Sequence, residues 1–430
     1  MNNREKNQSM GYVFSKRLRH LPHLQNQRMD KAYVTAMANF SKETISRYSL
    51  TIGDPDEPPP EGVMKVFTEC SSMGDKQGYV LPASGTAALL GSASAFFARK
   101  LKMNQLPTNA YCALKGARKG LNDIVEAFTD EGDLVAIPAW HYPGCLNAAV
   151  KGYVKVLPYS VMPRTNLFVE IRKTSEEAMR TYGRYPRMVM VCPVGNPYCN
   201  AVTRSEFQQT VEYLASKDIP ILSDEAYVFN RFPGEETVSL MQVPGGPEAG
   251  VSLSTFSKLY NVPSWRLAFA QGNLRMMEAI RRIDSADTYG HSYGIEQAAI
   301  EAMNGAYDNF PNERGVDYAE RFKVVVRSFT SSRIEVLRAQ AGMFAAVMLP
   351  REWADIGSVE TAARFFEHKG KRVNAGRFHG QEDDADNLLR VALVRKESVI
   401  TEVAEDLCSF LSGNPEQYSV PPDTQSSYIA

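Results

Sequence analysis

No apolar run in this 430-residue chain reaches the ~20 residues that a membrane-spanning helix needs, so a bilayer protein is not expected. The first segment, Met1 to His23, is polar and basic without an apolar core. That composition argues against a secretory signal and leaves a solvated arm as the expectation. Excess charge of one sign is lacking too: 48 Lys+Arg face 49 Asp+Glu, a net charge of −1. The balance gives no case for nucleic acid or an anionic membrane surface as a partner. The six cysteines, at 70, 112, 145, 192, 199 and 408, show no metal-site spacing. Cys192 and Cys199 are the nearest pair, with Pro193 and Pro197 between them. Reduced, buried or half-buried thiols of a cytoplasmic protein are expected. No internal repeat or low-complexity block is visible, which argues against a solenoid.

What is present is ordinary globular composition, 44% hydrophobic and 23% charged. The length is too great for one core, so two domains are expected. Residues 1–50 read as an arm and helical text, 51–317 as a large domain, and 318–430 as a smaller C-terminal domain with a frayed, proline-containing tail from Gly413. Short apolar strands at Leu134–Ile137, Met188–Cys192, Ile219–Leu222 and Val251–Leu253 alternate with helical text such as Thr86–Lys102, Leu121–Phe128 and Arg204–Lys217. This alternation predicts an α/β fold, a mostly parallel sheet covered by helices on both faces, with a smaller α+β domain after it. The polar residues that could carry chemistry follow the C-terminal ends of those strands, where open α/β sheets bind ligands.

Lys258 lies in Ser254-Thr255-Phe256-Ser257-Lys258, with Arg266 eight positions on and Asp224-Glu225-Ala226-Tyr227 beginning thirty-four positions upstream. Asn196-Pro197 precedes them. An amide, an acid, a phenol, an amine and a guanidinium are the groups that pyridoxal phosphate (PLP) needs. The amine forms a Schiff base with the aldehyde, and the acid keeps the pyridine nitrogen protonated so that the ring draws electrons. Hydroxyls and the guanidinium hold the phosphate.

On these motifs the chain resembles a fold-type I PLP enzyme of the aminotransferase class I/II family, over roughly residues 48–410. The resemblance implies that Lys258 is the Schiff-base lysine and the base at the substrate α-carbon. It implies that Asp224 pairs with the pyridinium, and that Asn196 and Tyr227 bond the ring's phenolic oxygen. The turn Gly116-Ala117-Arg118, together with Thr255, Ser257 and Arg266, would cradle the phosphate at a helix start. Lys115 adds charge nearby. Trp140 would stack on the ring, with Tyr142 as the competitor for that role. Arg390, inside the apolar run Leu388 to Leu393, would clamp the substrate carboxylate, and the backbone at Gly53 would close over it. Tyr79 would reach the phosphate in the neighbouring subunit, making a homodimer with shared sites. The chain departs from the family's Asn-Pro-Thr-Gly: it reads Asn196-Pro197-Tyr198-Cys199-Asn200.

Family members specific for dicarboxylates supply an Arg from the partner subunit, and the matching position here falls at about Asp287, with Asp284 a helical turn earlier. An acid there would disfavour aspartate and glutamate and suit a cationic substrate. His291 is a further loop residue that could face the substrate. The leading expectation is an aminotransferase passing an amino group between an amino acid and a 2-oxo acid. The rival is a PLP lyase or synthase resembling 1-aminocyclopropane-1-carboxylate synthase, acting on S-adenosylmethionine or a related substrate. A PLP-binding regulator is disfavoured, because the residues before Gly53 hold no basic recognition helix.

Overall fold

The computed structural model describes residues 27–380 and 383–418. The arm expected over Met1 to His23 lies outside the described residues, as does the tail from residue 419. Seven strands form the main sheet: β1 (Tyr111–Leu114), β2 (Leu134–Pro138), β3 (Lys155–Tyr159), β4 (Met188–Val191), β5 (Ile221–Asp224), β6 (Gly250–Thr255) and β7 (Ala268–Gly272). Their order is β1-β7-β6-β5-β4-β2-β3. The pairs from β3 through β2, β4 and β5 to β6 are parallel, and β7 runs against both β6 and β1.

Every residue of β1, β2, β4, β5, β6 and β7 is buried, as expected for strands covered on both faces. The period of two divides their side chains between two cores. Cys112, Leu114, Val135, Ile137, Met188 and Met190 enter one. Tyr111, Ala113, Ala136, Val189 and Val191 enter the other. The edge strand β3 exposes Lys155 and Pro158, a charge and a proline that blunt a free edge.

A second, antiparallel sheet has the order β8-β10-β9: β8 (Phe344–Met348), β9 (Asn374–Ala375) and β10 (Leu388–Ala392). The helix Ser358–Lys369 packs against it, and the helix Gln27–Asn39 lies on that helix in turn. Arg28 locks them together, 2.6 Å from Glu360 and 2.5 Å from Glu367. The N-terminal helix is therefore part of the small sheet's layer. The expected boundary at 317/318 falls inside one continuous helix, Phe310–Phe329. The stretch expected to fray begins ordered: Trp353 Nε1 donates to Gly413 O at 3.0 Å, and Tyr418 packs 4.4 Å from Phe410.

One crossing positions the site. Leu50 N donates to Arg372 O (2.8 Å) and Ala392 N donates to Leu50 O (3.0 Å), so residues 48–52 run along the small sheet. The chain then turns over the C-terminal edge of the main sheet at Gly53. Among the described residues no helix is long and apolar enough to cross a membrane.

Candidate active site

Four of the seven strands deliver side chains to one edge. β5 ends at Asp224. β6 ends at Thr255, whose hydroxyl caps the short helix Phe256–Leu259 by accepting from Ser257 N at 3.3 Å, and that helix carries Lys258. A loop after β4 carries Asn196. Gly116 follows β1 and starts the helix Ala117–Phe128.

Gly116 is required twice over. Its φ is +86°, where a Cβ is strained, and an ideal Cβ there would stand 2.5 Å from Arg266 Nη2. The exposed Arg266 guanidinium thus lies against the start of that helix, where first-turn N–H groups have no partner within the helix. Ser257 and Thr255 are buried alongside. An anion on this spot would meet a full cation, hydroxyls and helix N–H groups together.

Lys258 Nζ donates to Gly53 O, and burial pulls its pKa down to about 8, against a smaller opposing pull from Asp54. Asp224 is buried and accepts from Ala226 N at 3.3 Å, and burial pushes its pKa up to about 6. Among the described residues no cation forms an ion pair with Asp224, and Lys258 has no acid within ion-pairing distance. Two buried groups of opposite charge therefore stand without compensation, which is costly unless something else supplies it.

Arg390, 5% exposed, is in the same condition. Its Nη1 donates to Asn196 Oδ1 at 2.8 Å, its Nη2 to Thr51 O, and its guanidinium lies 4.0 Å over the ring of Phe344. Its Nε is buried without a partner. Burial lowers its pKa to about 10. Phe344 also meets Tyr227 edge-on at 5.7 Å and would touch a Cβ on Gly53 at 2.5 Å. Phe344 thus ties Gly53, Tyr227 and Arg390 into one wall, a role that no local motif in the sequence announced. Tyr227 is buried, which holds its phenol protonated.

Trp140 and Asn196 line one cavity, and the remaining expected residues lie around it or farther off. Trp140 is buried in a cluster with Leu337, Ala346, Ala385 and Leu388, and meets Tyr198 edge-on at 6.2 Å. Tyr142, by contrast, accepts from Arg118 Nε and Nη2 at 3.0 and 2.6 Å and lies near enough to Tyr227 and Arg390 to influence the charge of both. Tyr79 is 81% exposed and stacks on Tyr289 at 4.2 Å. Asp287 sits on the helix Leu274–Asp287, 3.4 Å from Lys119, which also binds Asp123 and the buried Asp284. Lys115 donates to Gly290 O at 2.8 Å. His291 is buried with Nε2 3.1 Å from Arg266 O, and burial followed by Lys115 lowers its pKa to about 4. A neutral ring donating to that carbonyl braces the loop behind Arg266.

The donor set fits PLP. A buried lysine with a depressed pKa, a buried acid lacking a cation, and a guanidinium against a helix start answer its aldehyde, ring nitrogen and phosphate.

Residues 47–407 match the model of the family aminotransferase class I and II. The chain is 29% identical to the putative aminotransferase AatC of Rhizobium meliloti (strain 1021), over 85% of this chain and 89% of that protein. It is 26% identical to the LL-diaminopimelate aminotransferase of Moorella thermoacetica, over 91% and 97% of the two chains. A probable N-succinyldiaminopimelate aminotransferase from Thermus thermophilus has the same fold, with a TM-score of 0.79 at 23% identity over 89% of this chain and 99% of that one. The relatives named here are aminotransferases, and the lyase reading finds no support among them. With a family match spanning most of its length and a site that suits the cofactor, the chain belongs to the class I and II aminotransferases, PLP-dependent enzymes of amino-group transfer.

Proposed function

We propose that this site transfers an amino group between an amino acid and a 2-oxo acid, with Arg390 holding the α-carboxylate that both substrates share. The observation that carries the reading is the buried guanidinium of Arg390 on β10, which has no acid within ion-pairing distance among the described residues. A substrate carboxylate supplies the missing charge, and one clamp serves both halves of the exchange.

When bound, PLP supplies an electron sink that makes the substrate Cα–H acidic. The remaining work falls to the chain. Lys258 would hold the cofactor, and its free amine would move the proton at Cα. Burial lowers its pKa in the cofactor-free chain, which favours the neutral amine that a base requires. Asp224 holds positive charge at the ring nitrogen. Asn196 gives its Oδ1 to Arg390, leaving its amide N–H groups to donate to the cofactor's phenolic oxygen beside Tyr227. The backbone at Gly116-Ala117-Arg118, with Thr255, Ser257 and Arg266, holds the phosphate. Tyr142, bonded to Arg118 and near Tyr227 and Arg390, would cover the ring, and Trp140, which lines a cavity with Asn196, is the competitor for that role. The peptide at Gly53 closes over the substrate carboxylate.

A homodimer is part of the proposal. Exposed Tyr79 and Tyr289 form an aromatic pair suited to a subunit contact, from which Tyr79 would reach the neighbouring phosphate. The unpaired state of all six cysteines supports a cytoplasmic setting.

The test is an absorption titration of the cofactor-loaded protein with single amino acids. A donor amino acid should bleach the cofactor's visible band, and a 2-oxo acid should restore it. Spectral change that reverts without any oxo acid would overturn transamination in favour of elimination or replacement.

A further inference from the structure

Three segments that the sequence keeps apart converge behind the cofactor's acid. Cys145 lies on the helix Pro143–Lys151, Cys192 immediately follows β4, and Asp224 ends β5. The two sulfurs and a carboxylate oxygen of Asp224 all lie within 4.8 Å of one another. Cys145 and Asp224 are buried, and Cys192 is half-buried where it lines a cavity of about 120 Å³ beside Asn196 and Tyr198.

We propose that, in the cofactor-free protein, Cys145, Cys192 and Asp224 bind a thiophilic divalent cation of the zinc class, and that this cation and PLP exclude each other.

Donor chemistry supports it. Two thiolates and one carboxylate are a soft, tetrahedral-type set with the fourth position left to water. Ligand atoms about 2.0–2.3 Å from a tetrahedral zinc stand about 3.3–3.8 Å apart, so a movement of about 1 Å closes the trio on an ion. Binding releases the two thiol protons to solvent, which makes it weaken as pH falls. The trio holds no cation of its own: among the described residues Asp224 has no ion-pair partner. The cavity beside Cys192 gives an ion a way in while the cofactor is absent.

Exclusion rests on the reading of Asp224 as the pyridinium partner: one carboxylate cannot hold both charges at close range. Coupling of this kind is reciprocal, so the cation must weaken PLP by the same factor by which PLP weakens the cation.

The probe is Cd2+, titrated into the full-length protein with and without PLP and followed by the ultraviolet thiolate-to-cadmium band and by equilibrium dialysis. One Cd2+ per chain with a thiolate band is expected in the cofactor-free protein, and at least about tenfold weaker binding once PLP is loaded. Cys145→Ser with Cys192→Ser should remove the band, and Cys192→Ser alone should weaken Cd2+ at least about tenfold, since losing even an outer-shell partner costs about that much. The single variant serves if the double one does not fold. A band that survives in the variants would place the metal on other thiols, such as half-buried Cys70 or Cys408, and overturn the site. Equal Cd2+ binding with and without PLP would overturn the exclusion. The cofactor's own visible band in the same samples separates the two readings: protein that never takes up PLP refutes the proposed function, while the thiolate band still decides the metal site.

Discussion

Lys119 and Lys258 sit in two regions that share a charge type and little else. Lys119, on the helix Ala117–Phe128, is surrounded by acids: Asp123 at 2.7 Å, and Asp284 and Asp287 each at 3.4 Å. Lys258 is more deeply buried and has a backbone carbonyl for a partner, while Asp224 and Arg390 stand in the same region without counter-ions. The protein compensates charge where the charge is structural. It withholds compensation where a cofactor and a substrate are to complete the set. Uncompensated burial costs stability, and that cost is what makes the groups reactive and selective.

The largest expected effect comes from removing the uncompensated amine. Lys258→Met should lower turnover by at least about 10^4-fold, since both covalent attachment and the proton carrier are lost. Borohydride trapping followed by mass spectrometry should find no cofactor bound to the variant. The same change should stabilise the cofactor-free protein. The folded-state pKa of Lys258 is depressed from 10.5 to about 8, so the fold favours the neutral amine. That contribution is complete above pH 10.5 and is lost as pH falls through 8, which leaves a penalty of order 3 kcal/mol at neutral pH. Denaturant unfolding of the cofactor-free proteins should therefore show the variant ahead at pH 7 and the gap closing as pH rises toward 10. A pH-independent gap would mean that Lys258 is compensated after all.

Arg390→Ala comes next. Loss of the clamp should weaken amino-acid binding by about 2–4 kcal/mol, measured as the concentration dependence of the cofactor's spectral change. Unchanged affinity for every amino acid tested would show that the substrate carboxylate is held elsewhere.

Much of this contrast was legible before the structure. Arg390 lies inside an apolar run, where a charged residue must find a partner or serve chemistry, while Asp224 and Lys258 were legible from their spacing within one set of motifs. The strands at 134–137, 188–192 and 251–253 were legible as well: buried on both faces, they read as continuous apolar text. Strand β7 was not, because Ala268-Phe269-Ala270-Gln271-Gly272 is short and Ala-rich, and its antiparallel direction depends on the turn through Arg266. Trp140 illustrates a different limit. Its position after a strand suggested a stacking role, but its packing against Ala346 and Leu388 of the small sheet is a contact that local sequence cannot foresee. Phe344 under Arg390, and the meeting of Cys145 with Cys192, are long-range outcomes of the same kind.

The compensated region should respond in the opposite way. Lys119→Met leaves the buried acids Asp123 and Asp284 without their cation, and Asp123 is already pushed up to about 6 by burial. A loss of about 2 kcal/mol of unfolding stability at neutral pH is expected, given the partial exposure of Lys119. Turnover at a temperature well below the transition should hardly change. A selective loss of kcat with stability intact would move Lys119 into the functional group and erase the comparison.

Asp287 is the sharpest small test, because sequence and structure assign it differently. The sequence resemblance puts it where dicarboxylate-specific family members carry a partner-supplied arginine, so an acid there would select cationic substrates. The structure gives it a partner already, Lys119 at 3.4 Å, with 58% of the side chain exposed. An exposed pair of this kind is worth less than about 1 kcal/mol. Asp287→Asn should therefore shift unfolding by no more than about 0.5 kcal/mol. Charge reversal is the decisive variant. If Asp287 faced a substrate across a subunit interface, Asp287→Arg would change the ratio of kcat/KM for a dicarboxylic over a cationic amino acid by at least about tenfold, the equivalent of about 1.4 kcal/mol. If its business is with Lys119, that ratio should stay within about threefold, while the new repulsion between Arg and Lys119 appears only in the unfolding curve. The two readouts separate a residue that chooses substrates from one that trims the charge of a structural cluster.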